Sequence, residues 1–407
     1  MKILFLTDNF PPEANAPATR TFAHCKEWVR LGAEVTVVTC VPNFPVGKVY
    51  DGYTNRPYQR EEMSGIEVIR VWSYIAENAG FAKRILDYLS FAGSSLIAGS
   101  FVSADVIVAT SPQLFTTLSG LGLSLAKRTP WVFELRDLWP DSIKAVSAMS
   151  NARVLAALET LELFLYRRAD LIVAVSPAFK ENLISRGISE QKIEIVTNGA
   201  DLAEFAPREP DRQLSTELGL AGRFVVGYVG THGMAHNLEA LIEASEGCRD
   251  PDTRFLFIGS GARKRAIEEL VARRKLSNVI LLDAVPKEQI ARYWSLIDVA
   301  LVPLRKDPVF ETVIPSKIFE AAAMGKPILL GVDGQARKIV EEYEAGVFFK
   351  PDSGDDFLAK VELLRQDREM YRRLSERGRN LAQAYDRRAL AARMFGLLEN
   401  LAESQRT

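Results

Sequence analysis

The sequence predicts an α/β protein with two doubly wound parallel sheets, one in each half of the chain. First, the 407 residues are too many for one ordinary hydrophobic core. Second, short runs of Val, Ile and Leu alternate with segments of helical periodicity, which is typical of parallel strands covered by helices on both faces. Third, this alternation restarts after a Pro- and charge-rich segment near residues 204–215.

The first half contains the apolar runs of a first sheet. The first run precedes a predicted helix near residues 19–31 and is interrupted by Asp8, with no small-residue cleavage site after it. It therefore predicts a buried strand rather than a signal peptide. We expect a first domain over residues 1–205, with strands at ILFLTD, EVTVVTC, IEVIRVW, DVIVATS, WVFEL, LIVAVS and IEIVTN.

The second half repeats the pattern over residues 206–385. Its predicted strands are FVVGYVG, RFLFIGSG, VILLDAV, VALVPL, PILLGV and GVFFK. Ligands of such sheets bind beyond the carboxyl ends of the strands. With two sheets, we expect the functional residues in the loops that follow the strands, where the two domains face each other across a cleft.

Composition excludes several classes of protein. The net charge of −1 argues against nucleic acid as a partner. The three cysteines lie far apart, which is typical of a reducing cytoplasm. A metal is not expected, because histidines and cysteines are few and the Asp250-Pro251-Asp252 triplet is typical of a turn. No dinucleotide-binding glycine motif follows the first strand, so a nicotinamide cofactor is not expected either.

Two glycine-containing loops predict anion binding. In GYVGTHGMAHNLEALIEA, a strand, a loop with Gly230 and Gly233, and a helix follow one another. Such a junction presents backbone N–H groups to an anion, although an ordinary strand–helix turn has the same pattern. In FIGSGARKRAIEELV, Arg263 and Lys264 open a helix, where cations oppose the helix dipole. Either a bound anion compensates for this, or the turn is a solvated basic one.

The segment ETVIPSKIFEAAAMGKPILL predicts a site for a nucleoside diphosphate. Pro315 suits a helix start. Ser316 and Lys317 then present N–H groups and an ammonium to phosphates, and Glu320, one turn later, accepts hydrogen bonds from the vicinal hydroxyls of a ribose. The alternative is a carboxylate that caps the helix without a ligand.

With these motifs, the sequence resembles family 4 glycosyltransferases, which have the GT-B fold of two Rossmann-like domains. It is similar in particular to bacterial transferases of O-antigen and capsule assembly, such as N-acetyl-L-fucosaminyltransferases. The resemblance covers nearly the whole chain and rests on FPPEANAPATR, ELRDLWPDS, SPAFKENLISRG, VTNGAD, VGTHGMAHNLEALIEA, FIGSGARKRAIEEL and IPSKIFEAAAMGKPI. It also implies that the last helical segment, residues 386–407, crosses back to the first domain.

The resemblance implies a donor site in the second domain. Glu320 corresponds to the second of two family glutamates spaced eight residues apart. The first position is Thr312, and Glu311 is one place off. Thr231 and His236 stand where many relatives have Arg and Lys for the diphosphate. We expect the donor to be bound by Gly230, Thr231, His232, Arg263, Lys264, Val285, Ser316, Lys317 and Glu320.

The first domain is expected to bind the acceptor. Arg136 stands where the commonest relatives have a His, and Asp137 follows it. We predict catalytic roles for Asp137, Arg136 and Lys317. We predict acceptor contacts from Asn15, Arg20 and Asp141, with a surface position as the alternative for Arg20. His24 and Trp139 are interpreted as packing residues.

The resemblance implies a retaining transferase that moves a sugar from a UDP-sugar to a polyprenyl-diphosphate-linked saccharide. No cofactor and no metal are expected. The alternatives are a UDP-sugar 2-epimerase and a non-catalytic sugar-nucleotide-binding partner. The uncharged segment over residues 88–104, after Lys83 and Arg84, is either a core-packed helix or an interfacial one at the inner face of the plasma membrane.

Overall fold

The chain forms two compact units, each with its own sheet and core. The computed structural model describes residues 1–13, 15–44, 47–75, 81–139 and 151–404. The first unit comprises Met1–Thr197 together with the segment that starts at Arg387, and the second comprises Asn198–Asp386. The second unit starts before the predicted boundary at residue 205, because Ala200 and Phe205 pack in its hydrophobic core.

The first unit contains an eight-stranded sheet with the order β3-β4-β2-β1-β5-β6-β7-β8. The strands are β1 Lys2–Leu6, β2 Glu34–Cys40, β3 Tyr58–Met63, β4 Ile66–Val71, β5 Val106–Thr110, β6 Trp131–Leu135, β7 Leu171–Ala174 and β8 Ile193–Ile195. The register places Phe5 beside Val37 of β2 and Val108 of β5. The fully buried runs of β1, β5 and β6 confirm strands covered on both faces.

The strand β3 was not predicted, and it is the antiparallel exception in this sheet. Its sequence, YQREEM, is polar, and its residues alternate between exposed and partly buried. Ser64 and Gly65 join β3 to β4 with φ of 53° and 80°, the positive values of a tight hairpin turn. A polar edge strand carries no apolar run, so only the turn could have indicated it.

Helices cover both faces of this sheet. They are α1 Ala16–Arg30, α2 Phe81–Ser100, α3 Thr116–Lys127, α4 Ala152–Arg168, α5 Pro177–Ser185 and, at the end of the chain, α14 Arg387–Ser404. One core lies under α2 and α3 and includes Phe91 and Leu123. The other lies under α1 and α14 and includes Trp28 and Phe395. Helix α2 therefore packs one face in this core, and it lies between β4 and β5 in the chain.

The second unit contains a six-stranded parallel sheet with the order β11-β10-β9-β12-β13-β14. Its strands are β9 Phe224–Val229, β10 Thr253–Ile258, β11 Val279–Leu282, β12 Val299–Pro303, β13 Ile328–Gly331 and β14 Gly346–Phe348. All match predicted runs. The two sheets confirm the predicted fold class, a pair of doubly wound α/β domains.

Helices and short 3-10 turns connect the strands of the second unit. The helices are α6 Arg212–Glu217, α7 Leu238–Ala244, α8 Lys264–Arg274, α9 Lys287–Trp294, α10 Lys317–Ala323, α11 Gln335–Glu342, α12 Gly354–Gln366 and α13 Arg368–Ala384. The loops before α7 and α8 follow neighbouring strands, and the 3-10 turn Pro308–Thr312 follows β12. Because the strands are parallel, these loops share one edge of the sheet.

Candidate functional site

The loops after β9 and β10 are bound to each other through their backbones. The N–H of His232 donates to the carbonyl of Ser260 at 2.9 Å, and the N–H of Arg263 donates to the carbonyl of His232 at 2.9 Å. Gly259 has φ of +150°, and a Cβ there would collide with the Gly230 carbonyl. Gly259, in the second of the predicted anion-binding loops, is therefore required where the two loops touch.

Lys317 reaches from the start of α10 to the end of β9. Its Nζ lies 3.9 Å from the centroid of the Tyr228 ring. A Cβ on Gly230 would lie 2.9 Å from the same Nζ, so a larger residue there would displace the ammonium from its position. Burial lowers the pKa of Lys317 to about 7, and the charge of Glu320 opposes this shift. The arrangement places an amine that is about half protonated at pH 7 on an aromatic face, at the carboxyl end of the central strands.

Two histidines border the same tyrosine. The ring centroids of His232 and His236 lie 5.9 and 5.7 Å from that of Tyr228. Both nitrogens of His232 are buried without a hydrogen-bond partner. Burial, followed by the charges of Lys264 and Lys317, lowers the pKa of His232 to about 4. Burial and the charge of Lys317 lower the pKa of His236 to about 3. Both imidazoles are neutral at pH 7, so Lys317, about half protonated there, is the group of this cluster that carries positive charge.

Tyr228 is the residue of this group that sequence reasoning missed. It is fully buried in β9, and its hydroxyl donates to the carbonyl of Thr231 at 2.6 Å. In the sequence it is one more apolar residue in a strand run. No local pattern connects it with a lysine almost 90 positions later in the chain.

The cations at the start of α8 have carboxylate or carbonyl partners. The Nε of Arg263 donates to Oε1 of Glu239 at 2.5 Å. The Nζ of Lys264 donates to the carbonyl of Leu282 at 2.7 Å and lies 3.3 Å from Asp283. The ammonium of Lys264 is therefore held at the end of β11, and its contact with a diphosphate stays a prediction. Arg263 is partly exposed and stays a candidate.

The segment before α10 places the remaining donor candidates. Ser316 immediately precedes the helix, with no side-chain cap bond. Glu320 is partly buried on the same short helix as Lys317. Thr312, at the first family glutamate position, donates its hydroxyl to the carbonyl of Val309 at 2.7 Å and stabilises the turn. Glu311 is exposed in that turn.

Val285 lies in the loop between β11 and α9 of the second unit. It is partly buried against the core of the second unit and stands two residues before the start of α9. An apolar side chain in a loop after β11 could contact a nucleobase, and it stays a candidate on position alone.

Arg20 and Asn15, predicted to contact the acceptor, have hydrogen-bond partners within the first unit. Arg20 is 4% exposed and donates to Oε1 of Glu134 at 2.9 Å and to the Val196 carbonyl at 2.9 Å. It joins α1 to β6 and to the end of β8, so the surface alternative is wrong, and the acceptor contact stays a prediction. Asn15 accepts from the Ala18 N–H at 2.8 Å and so caps α1.

Arg136 follows β6 and supports the start of α1. Its Nη1 and Nη2 donate to the carbonyls of Pro17 and Ala16 at 3.1 and 3.2 Å. Burial lowers its pKa to about 10; the charge of Glu134 opposes this shift, and the charge of Arg20 adds to it. Arg136 is therefore charged at neutral pH.

The other first-unit candidates have varied surroundings. Asp137, beside Arg136, is partly exposed. Asp141 lies outside the described residues. His24 and Trp139 are buried as predicted, at 1% and 7% exposure. The Trp139 ring packs edge-on against Tyr88, with centroids 6.3 Å apart.

Among the described residues, no group of three or more His, Cys, Asp and Glu side chains is arranged to hold a metal ion.

Comparison with protein families identifies the class of this protein. Residues 15–199 match the model of the glycosyl transferase 4-like domain, and residues 212–381 match that of glycosyl transferases group 1. Each match lies almost entirely within one of the two units. The chain is therefore a glycosyltransferase with the GT-B fold, with one domain of each of these two families.

Two of the curated relatives are glycosyltransferases of bacteria. The chain is 26% identical over 339 residues to the putative colanic acid biosynthesis glycosyl transferase WcaI of Escherichia coli, covering 80% of this chain and 82% of the relative. It is 27% identical over 268 residues to the putative teichuronic acid biosynthesis glycosyltransferase TuaH of Bacillus subtilis, covering 63% of each.

Solved structures share the fold over nearly the whole chain. Sucrose-phosphate synthase from Thermosynechococcus elongatus superposes with a TM-score of 0.79 at 19% identity, covering 99% of both chains. HepE of Anabaena, solved in complex with UDP-glucose, superposes with a TM-score of 0.74 at 18% identity, covering 98% of this chain and 100% of that one.

Proposed function

We propose that this glycosyltransferase takes its sugar from a UDP-linked donor bound in the second unit. Lys317 would contact the diphosphate, and Glu320 would accept hydrogen bonds from the ribose hydroxyls. The observation that carries the proposal is the Lys317 ammonium held against Gly230 and the Tyr228 ring, one helical turn from the Glu320 carboxylate. The UDP-glucose bound to HepE, which has the same fold, supports a uridine donor.

The chemical need for Lys317 follows from the leaving group. When the glycosidic bond breaks, the departing diphosphate gains negative charge, and catalysis requires prearranged positive groups at that position. Neutral His236 stands where many relatives have a lysine. We propose that Lys317 supplies the missing charge, assisted by the partly exposed Arg263, and that no metal is required.

We further propose the remaining parts of the reaction. The acceptor is a polyprenyl-diphosphate-linked saccharide at the inner face of the plasma membrane, used in surface-polysaccharide assembly. The donor sugar is an N-acetylated amino sugar such as N-acetyl-L-fucosamine, transferred with retention. Asp137 orients or deprotonates the acceptor hydroxyl, and Arg136 holds the loop that carries it. The name of WcaI, a putative colanic acid biosynthesis glycosyl transferase, supports a role in polysaccharide assembly.

Calorimetric titration with UDP tests the donor site. We expect the intact protein to bind UDP and Glu320→Gln to bind about tenfold more weakly, because one charge-assisted pair of hydrogen bonds to the ribose becomes neutral. Glu311→Gln is the matched control, since Glu311 is exposed in the preceding turn. Equal affinity of the Glu320→Gln variant and the wild type, or no UDP binding at all, would contradict the proposal.

Turnover measurements test the charge argument and exclude the rival reaction. Lys317→Ala should lower turnover by roughly two orders of magnitude with the fold intact. UDP release should require a polyprenyl-diphosphate N-acetylglucosamine acceptor and should persist in excess EDTA. Release of UDP and a 2-epimerised sugar without acceptor would instead identify a UDP-sugar 2-epimerase.

A further inference from the structure

Helix α2 exposes a continuous uncharged stripe of large apolar side chains. Its exposed positions recur at helical spacing, and the stripe continues into the residue that follows the helix. Exposure is 55% at Leu86, 45% at Leu89, 38% at Leu96, 66% at Ile97 and 85% at Phe101. At 1.5 Å per residue, the stripe from Leu86 to Phe101 is about 22 Å long. Five large apolar residues aligned on one exposed face need a partner that covers them.

The opposite face of α2 packs in the core of the first unit. Phe91 and Ala92 are buried there, and the hydroxyl of Ser95 lies 3.1 Å from that of Ser119 on α3. Gly99 leaves room for the side chain of Leu123. Rotation of the helix to bury the stripe would expose these residues instead, so the stripe is a stable feature of the surface.

The neighbouring helix α3 extends the apolar surface. A Cβ on Gly122 would lie 3.0 Å from Leu96, so α3 runs directly beside the stripe. Leu125 follows within one turn and is 67% exposed. The Nζ of Lys127 donates to the carbonyl of Ser100 at 2.7 Å and fixes the end of α3 to the end of α2. The stripe and Leu125 form one patch, which we call the α2–α3 patch.

Cations lie at both ends of this patch. Lys83 and Arg84 are exposed at the start of α2, and Lys127 and Arg128 lie at its other end. Among residues 83–101, Asp87 is the one acidic residue, and it is partly buried rather than exposed. Apolar side chains between basic residues complement the acyl chains and phosphates of an anionic bilayer. In the part of the chain that the structure describes, no helix is long and apolar enough to cross a membrane.

We propose that the α2–α3 patch docks the protein on the surface of an anionic lipid bilayer, with α2 parallel to the membrane plane. Leu86, Leu89, Ile97, Phe101 and Leu125 enter the boundary between headgroups and acyl chains, and the basic residues contact lipid phosphates. The inference rests on the proposed function in one respect: the bilayer is where a lipid-linked acceptor would be found.

Vesicle flotation tests this surface. Full-length protein should float with phosphatidylglycerol-containing vesicles and much less with pure phosphatidylcholine vesicles. Ile97→Ser/Phe101→Ser should lower the bound-to-free ratio by about tenfold, because two deeply placed apolar groups are lost. Lys83→Glu/Arg84→Glu should lower it on anionic vesicles only. Leu31→Ser/Ile184→Ser is the matched control, since both residues are in the first unit, 39% and 38% exposed, and outside the patch.

Three outcomes would overturn the proposal. They are absence of flotation with either vesicle, equal flotation of the wild type and the Ile97→Ser/Phe101→Ser variant, and a wild-type dimer that this variant makes monomeric without any vesicle binding. The last result would identify a second copy of the chain as the partner. UDP affinity, measured on every variant, should stay at the wild-type value. If the wild type did not bind UDP, the donor site would be refuted, and the flotation result would still test the membrane surface by itself.

Discussion

At the scale of single residues, the burial of Lys317 determines how its charge should respond to UDP. Its ammonium lies on the Tyr228 ring and against Gly230, and burial brings its pKa down to about 7. Because a bound diphosphate favours the charged form, the pKa of Lys317 should rise when UDP binds. Binding would then take up a proton at pH values above 7.

The expected consequence is a UDP affinity that falls with rising pH. The terminal phosphate of UDP is ionised above about pH 7, so the change above that value comes from the protein. The association constant should fall by up to about tenfold per pH unit from pH 7 to the higher pKa of the bound state. Titrations at pH 7.0, 8.0 and 9.0 measure this slope. Lys317→Met should bind weakly with no such slope, and a flat profile in the wild type would refute the assignment.

A second residue-scale prediction concerns Asp87, which lies near Asp8 and Glu13 in the first unit. Burial and then the charge of Glu13 raise the pKa of Asp87 to about 6. A carboxyl group whose pKa is higher in the folded state binds protons more readily there, so it destabilises the fold above pH 6, and this effect disappears as the pH falls below 4.

Asp87→Asn should therefore stabilise the first unit by about 1 kcal/mol at pH 8, after solvent screening is allowed for, and by much less at pH 4.5. Chemical denaturation at both pH values measures the difference. Asp51→Asn, at an exposed position of the same unit, is the control. A variant equally or less stable than the wild type at pH 8 would contradict the electrostatic argument.

At the scale of elements, the contact between the loops after β9 and β10 determines the position of the site. Gly259→Ala would place a methyl group against the Gly230 carbonyl. A Cβ on Gly222 would have no atom within 4 Å, so the strain of a positive φ is the only cost of Gly222→Ala. Gly259→Ala should therefore be about 2 kcal/mol more destabilising than Gly222→Ala. Thermal unfolding measures the stability of each variant, and UDP titration measures its affinity for the donor nucleotide. Similar stability of both variants would show that the loops separate without cost.

Most elements could be predicted because their information is local. Every strand with a buried apolar run was predicted, as was the first helix. The edge strand β3 was missed because its side chains are polar, although Ser64-Gly65 between two extended segments was a usable hairpin signal. In the candidate site, the glycine loops, Lys317 and Glu320 were predicted from motifs. The partners of Arg263 and Lys264 were not, because Glu239 and Leu282 belong to other elements.

At the scale of the whole molecule, the end of the chain completes the first unit. In α14, Met394 and Phe395 share a core with Phe5, and the Nε1 of Trp28 donates to the carbonyl of Ala391 at 2.9 Å. The first unit therefore depends on a segment that follows the whole second unit in sequence.

A chain that ends at Asp386 should lose the first unit selectively. Removal of α14 exposes the apolar residues of α1 and of the sheet beneath, so amides of β1 and β2 should exchange with solvent far faster. The second unit has its own cores and should keep its protection and its UDP affinity. Hydrogen exchange with mass spectrometry distinguishes the units. Trp28→Phe, which removes one hydrogen bond, should cost only about 1 kcal/mol. Unchanged protection of β1 after truncation would refute this dependence.

The sequence alone determined the two doubly wound sheets, the loops that carry the candidate residues and the class of chemistry, because hydrophobic periodicity, glycine at strand ends and short motifs are properties of neighbouring residues. Tertiary structure decided which polar side chains remain available. Arg20 became a buried partner of Glu134, and Tyr228 became the surface on which Lys317 lies. These partners are far apart in the chain, and folding brings them together through packing that no local pattern records.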